Sequence, residues 1–242
     1  MNNINVLVAC EESQAVCKAF RELGFSAFSC DILECSGGHP EWHIQGDVLE
    51  VLSPEPKYDY NEYIVFKTMD GKEHWIEDKW DMIIAFPPCT FLSNAGACRL
   101  FPQKGKLNLD RYKKGLKGKE FFLKFYDADC KYIAVENPVP SSIYQLPKYS
   151  QTVQPYEHGH EYSKKTCLWT KNLPKPLPTH IVKPVCSWVS GGSKDGKGNQ
   201  RKNCGMKFRD SRTKSKTFPG IAKAMAEQWG KYVWYQKYGG IK

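Results

Sequence analysis

"INVLVAC", residues Ile4–Cys10, is the stretch from which the fold is read. A near-continuous apolar run of this length suits a strand buried on both faces, and such strands belong to parallel sheets covered by helices. The residues that follow agree. Glu11-Glu12-Ser13 makes a polar turn. Ser13 can cap a helix from Gln14 to Leu23, with Val16, Ala19, Phe20 and Leu23 on one face and Gly24 ending it. "SAFSCDI" (Ser26–Ile32) is a second strand carrying an acid at its end, and "HIQGDV" (His43–Val48) is a short third one ending near Asp47. Strand–helix–strand with acids at strand ends is the pattern of a nucleotide-handling α/β sheet.

Residues 53–80 interrupt the pattern. "NEYIVFKTMDGKEHWI" places Asp70-Gly71 between two strand-like runs, which predicts an inserted β-hairpin near 60–77. It should leave the sheet at the end away from the carboxyl ends of the strands, as a structural or interaction element. "DMIIAF" (Asp81–Phe86) resumes the core sheet, and a long loop, 87–108, follows. A helix is expected over Asp110–Asp129 and strands over "YIAVENP" (Tyr132–Pro138) and "KTCLWTK" (Lys165–Lys171), with 139–162 irregular between them. Beyond a proline-punctuated stretch, "SGGSKDGKGNQRKN" (Ser190–Asn203) reads as a flexible basic loop, and Pro219 to Tyr238 as a closing helix. The whole chain, 1–242, is expected to form one α/β domain with a mostly parallel sheet.

Bulk properties limit what such a domain can do. With 41% hydrophobic and 13% aromatic residues the chain can bury a core. It has no apolar run of the ~18–20 residues a membrane span needs. "MNNINVLVAC" lacks the basic region and longer apolar stretch of a secretion signal. A cytoplasmic protein is therefore expected, with its ten cysteines, none in a CxxC pair, as reduced thiols. Cys30, Cys35, His39 and His43 cluster in sequence, but their spacing matches no common zinc site, and no metal is expected. The net charge of +9, concentrated at Lys104–Lys119 and Lys194–Lys216, suits a polyanionic partner such as nucleic acid.

In an open α/β sheet, ligands sit beyond the carboxyl ends of the strands. This chain puts Cys10-Glu11, Asp31, Asp47, Cys89 and Glu136 there. Two acids after neighbouring strands suit the hydroxyls of a ribose and the amine of an adenine. Pro87 and Pro88 fix φ and remove two backbone donors, a rigid platform for the thiol of Cys89. If the strands ending at Cys89 and Glu136 are neighbours, a thiol nucleophile and a carboxyl group stand side by side.

These residues resemble the motifs of the cytosine-C5 DNA methyltransferases, of the short kind met in phage genomes. "PPC" (87–89) resembles the nucleophile motif and "ENP" (136–138) the "ENV" motif. "LVACEES" stands at the first S-adenosylmethionine loop, with Glu11 and Glu12 where the family has glycines. "CDI" (30–32) and "GDV" (46–48) resemble the second and third cofactor motifs. "YSKKTCLW" (162–169) lies where the family has "QxRxR", and "TFPGIAKAMA" (217–226) resembles the last motif. The order is kept over nearly the whole chain.

The resemblance implies a Rossmann-like class I methyltransferase domain with S-adenosylmethionine as cofactor and cytosine-containing DNA as partner. It implies catalytic Cys89 and Glu136, and Lys165 in place of a cytosine-binding arginine. Ala9, Cys10, Glu11, Glu12, Asp31, Ile32, Asp47, Val48 and Pro87 would contact the cofactor. Pro88, Asn94, Arg99 and Asn137 would contact the substrate, the loop 90–108 touching phosphates. Residues 172–214 would be a minimal substrate-recognition segment. A monomer is expected, with a dimer left open. Two other readings use the same scaffold: a pyrimidine-modifying enzyme acting on nucleotides or single strands, and an inactive nucleic-acid-binding or anti-defence protein. Phe86 before the prolines and Cys89 after them disfavour the amino-methyltransferases of adenine or cytosine, whose Pro-Pro is followed by an aromatic residue.

Overall fold

The computed structural model describes residues 3–53, 55–56, 62–188 and 211–239. In chain order the first half runs β1 (Asn5–Ala9), α1 (Ala15–Glu22), β2 (Ser26–Asp31), β3 (His43–Gln45), β4 (Glu55–Pro56), β5 (Glu62–Lys67), β6 (Glu73–Glu77), β7 (Met82–Ala85), α2 (Ala97–Leu100) and α3 (Leu109–Tyr126). The second half runs β8 (Tyr132–Pro138), β9 (Gln151–Val153), β10 (Tyr162–Ser163), β11 (Thr166–Lys171), β12 (Cys186–Ser187), α4 (Ser211–Ser215), α5 (Pro219–Met225) and α6 (Lys231–Tyr238).

Seven strands form the main sheet in the order β3-β2-β1-β7-β8-β11-β9. The first five are parallel, and β11 runs antiparallel to both β8 and β9. Counting only strands of this sheet, the order is 3-2-1-4-5-7-6 with the seventh reversed, a mostly parallel, Rossmann-like sheet. Both faces are covered, which is why the strands read as unbroken apolar runs. Leu7, Ala9, Phe28, Ile83, Val135 and Trp169 face α3 and the β5–β6 hairpin. Val6, Val8, Ala27, Ile84, Ala134 and Leu168 face α1 and α5. A π-helical turn, Ala226–Gly230, joins α5 to α6, so the expected closing helix is continuous but locally widened.

The hairpin lies closer to the core than an appendage would. β5 and β6 pair antiparallel around Asp70-Gly71, with Gly71 at φ +84, and β4 adds a third strand. Ile64, Phe66 and Ile76 are buried in the same cluster as Phe28 and Trp80. The hairpin thus covers the sheet where a helix would cross from β3 to β7. Met69 N donates to the carbonyl of His43 at the start of β3, so the turn sits at the end of the sheet opposite the strand tips that carry the candidate site.

Three expectations are corrected. The stretch 139–162 holds β9, the edge strand, which is too short and polar ("QTV") to show in the sequence pattern. Ser13 does not cap α1. The helix begins at Ala15 after Gln14 in a left-handed conformation (φ 56), and the capping acceptor is Glu11. Eight cysteines are free thiols among the described residues, but Cys186 is disulfide-bonded, so not all ten are reduced. All of the expected basic loop Ser190–Asn203 and much of the 172–214 segment lie outside the described residues. Among those described, no helix is long and apolar enough to cross a membrane.

Phe66 packs on Phe28 and Trp80 at ring-centroid distances of 4.9 and 5.7 Å. Truncation to alanine should therefore cost as a core residue does, about 3–5 kcal/mol, measured by urea unfolding. A loss below about 1 kcal/mol would make the hairpin peripheral.

Candidate active site

One row of paired residues crosses the sheet: Ile44, Cys30, Ala9, Ala85, Val135 and Trp169. The next residue on each parallel strand is Gln45, Asp31, Cys10, Phe86 and Glu136. The sheet therefore delivers its chemistry along a single edge.

At the β1–β2–β3 end of that edge, Asp31 and Asp47 both act on Cys10. Burial pushes the Cys10 thiol up, and the two carboxylates and Cys30 add to it. Asp31 Oδ1 accepts from Leu33 N at 3.0 Å, and its carbonyl accepts from Gly46 N at 3.0 Å, so the acid stands in a closed turn. Beside it the Ile32 side chain is 73% exposed. Asp47 caps the short 3-10 turn Val48–Glu50 through Leu49 N at 3.0 Å. Val48 is buried in the core, and Ala9 offers only backbone, its carbonyl accepting from Phe86 N at 2.9 Å. An acid and an exposed apolar side chain at neighbouring strand ends are groups that can hold a ribose and a purine face.

The β1–α1 turn is different. Glu11 is buried, and its two oxygens accept from Val16 N (2.6 Å) and Cys17 N (3.1 Å). The amides at a helix start attract anions, and here the chain's own carboxylate takes them. Glu11 is therefore occupied with α1, and a ligand carboxylate does not fit at that helix end. Glu12 pairs through Oε1 with Arg212 Nε at 2.9 Å, while its buried Oε2 has no hydrogen-bond partner among the described residues. Such an acceptor suits the ammonium of an amino-acid ligand.

At the other end, Pro87 is buried, Pro88 exposed and Cys89 half-buried. The loop after Cys89 is fixed on several sides. Leu92 N and Ser93 N donate to the Cys89 carbonyl (3.2 and 2.9 Å), Asn94 N to Val139 O (2.9 Å) and Ser141 N to Leu92 O (2.8 Å). Arg111 donates to Thr90 O at 2.7 Å. Asn137 is fully buried and directs Nδ2 to Pro87 O at 3.5 Å, so it braces the platform, while its Oδ1 has no hydrogen-bond partner among the described residues. Asn94 and Arg99 are exposed on the outer side of the loop.

Glu136 lines a small cavity with Phe86, Lys164, Thr166, Thr217 and Phe218. Burial raises its pKa, opposed by Lys164 and a hydrogen bond from Thr166. The Cys89 thiol is raised by burial and then by Glu136, and lowered by Lys164. Thiol, carboxyl and ammonium thus share one field. Lys165, expected at this place, is exposed and outside the cavity lining, and Lys164 takes the position. The reason is strand parity. Leu168 pairs with Glu136, so 164, 166 and 168 share its face, while 165 goes with Cys167 and Trp169 toward α3. That parity was present in the sequence, but not the knowledge of which face Glu136 takes.

No family model matches the chain. No curated protein matches it either. Among solved structures, it is similar to a methyltransferase of Entamoeba histolytica, EhMeth, at 15% identity and a TM-score of 0.42. That likeness covers 77% of this chain, which spans 59% of the other.

Two measurements probe the site directly. Burial raises the Glu11 pKa to about 7. A carboxyl held up in the folded state favours folding fully below its ordinary range, and that contribution is lost as pH rises through about 7. The unfolding free energy of Glu11→Gln relative to wild type should therefore rise by up to roughly 3 kcal/mol from pH 4.5 to pH 8. A pH-independent difference would show that Glu11 is not a buried cap. For Cys89, iodoacetamide labelling followed by peptide mass spectrometry should be faster in Glu136→Gln and slower in Lys164→Ala than in wild type at pH 8. Equal rates would mean that the three groups do not share a field.

Proposed function

We propose that this chain transfers a methyl group from S-adenosylmethionine to C5 of cytosine in DNA, through a covalent Cys89 adduct at C6. The observation that supports this reading is the parallel pairing of β7 with β8, which sets Cys89 beyond one strand and Glu136 near the end of its neighbour, with Lys164 beside Glu136 in the cavity lining. The Cys89 thiolate adds to C6 while the Glu136 carboxyl, whose raised pKa favours its protonated form, donates its proton or a hydrogen bond to N3. Lys164 stabilises the thiolate and the carboxylate that results. The cofactor supplies an electrophilic methyl group, taken by the electron-rich C5. Loss of the C5 proton to solvent then forms the ring double bond again and expels the cysteine as thiolate, while a proton given to N3 returns to the Glu136 carboxylate. Pro87 and Pro88 hold the sulfur in place through these steps, and a base in duplex DNA must leave the stack to reach it.

Asp31, Ile32 and Asp47 fit the nucleoside half of the cofactor, and Glu12 and Arg212 its amino-acid half. Glu11 does not serve it.

Incubation with labelled S-adenosylmethionine and a panel of duplex DNA, single strand, dCMP and dCTP, followed by nucleoside mass spectrometry, tests the reading. 5-Methyldeoxycytidine should arise from DNA, and Cys89→Ser should lower its yield at least ~100-fold while keeping the rise in Tm that cofactor binding gives by mass action. The absence of any Tm shift at millimolar cofactor, or undiminished transfer by Cys89→Ser, would sink it. Methylation of dCMP or dCTP alone would move the substrate to free nucleotides.

A further inference from the structure

Between residues 99 and 119 the chain carries eight lysines and arginines and one acid, Asp110. Folding turns this bias into a surface. The inner side of α3 is fixed by Gly115, Phe122 and Phe125, and a Cβ at Gly115 would collide with the Tyr144 ring. Lys113, Lys114 and Lys117 are thereby left exposed on the outer side, and Arg99, Lys104 and Lys106 are exposed on α2 and the loop before α3. None of the six is held in an ion pair among the described residues. Lys113 and Lys117, and Lys114 and Lys117, stand at spacings where like charges destabilise a helix. The free protein gains nothing from that arrangement.

The patch is also joined to the candidate site. Arg111, on the same helix, donates to the carbonyl of Thr90, the residue after Cys89. The ring of Phe91 lies 5.0 Å from the Arg111 guanidinium and 5.7 Å from the Lys114 ammonium. A polyanion lying on the outer side of α3 therefore meets the loop that carries the thiol.

We propose that the outer face of α2, the following loop and the first half of α3 is the surface on which a nucleic-acid backbone lies, its phosphates contacted by Lys113, Lys114 and Lys117. The proposal deepens the functional reading above by naming where the DNA docks. Lys113 and Lys117 are about 6 Å apart along the helix axis, a spacing that can serve successive phosphates. The contacts are to backbone alone, so they position the strand and do not read its sequence.

The test measures binding of wild-type protein to a 25-base-pair duplex across a salt series. The triple variant Lys113→Gln, Lys114→Gln, Lys117→Gln should bind roughly 10- to 100-fold more weakly near 0.1 M salt. Its slope of log K against log salt should be shallower by about 2–3. A control triple, Lys72→Gln, Lys175→Gln, Lys231→Gln, removes the same charge elsewhere and should leave the slope near wild type. Equal losses in both triples, or none in either, would overturn the proposal. So would binding of wild type to anionic phosphatidylserine vesicles but not to DNA. Lysine acetylation footprinting of the unmodified protein needs no variant: DNA must protect residues 113, 114 and 117, and their continued labelling would also overturn it. The two readings fail separately. DNA bound on this face without methyl transfer defeats only the catalytic reading, and methyl transfer to DNA with an unchanged salt slope in the α3 triple defeats only this one.

Discussion

Ala85 is paired on one side with Ala9 and on the other with Val135, and this parallel ladder sets where every chemical group of the site can stand. The three strands run in one direction and in matched register; β1 and β7 end at this row, while β8 runs on to Pro138 along β11. Cys10, Phe86 and Glu136 are each one residue past the same row, and Cys89 is three residues past Phe86. A shift of one residue in β8 would turn Glu136 to the face of α3 and replace it with the brace Asn137. The antiparallel β11 closes the arrangement, since its pairing of Leu168 with Glu136 puts Lys164 and Thr166 on the same face.

The groups at this edge are poorly hydrated, and their charges act strongly on one another. Burial disfavours the ionised forms of Cys89 and Glu136 alike, and Lys164 offsets both. Burial also disfavours ionised Glu11, which is nevertheless placed against the first amides of α1. The chain thus supplies from its own side chain the anion that a glycine-rich turn leaves to a ligand. On the outside the balance is reversed: Lys113, Lys114 and Lys117 of α3 and Lys104 and Lys106 before it are exposed and in no ion pair among the described residues, and Lys114 is three residues along the helix from Arg111, which donates to the carbonyl of Thr90.

Much of the scaffold was legible because burial on two faces leaves a mark in one dimension. "INVLVAC", "DMIIAF" and "YIAVENP" are apolar runs with no polar face, and each is a central parallel strand. Asp70-Gly71 announced the hairpin through the backbone geometry its turn demands. Other elements left no such mark. β9 is three residues of mixed character whose only claim to be a strand is its pairing with β11. The cap of α1 comes from Glu11, while the sequence pattern favours Ser13.

The sequence by itself determined the strands, their order of chemical endings, the rigid Pro-Pro-Cys corner and the excess of positive charge. These are local matters, set by polarity period, by proline's fixed φ and by counting charges. Only the tertiary structure decided which strands are neighbours, which face Glu136 takes and that Lys164, not Lys165, joins it. It also decided that Asn137 braces Pro87 and that Glu11 belongs to α1. The reason is the same in each case: a side chain's partner is chosen by strand order and register, which bring together residues such as Cys89, Glu136 and Lys164 that are far apart along the chain.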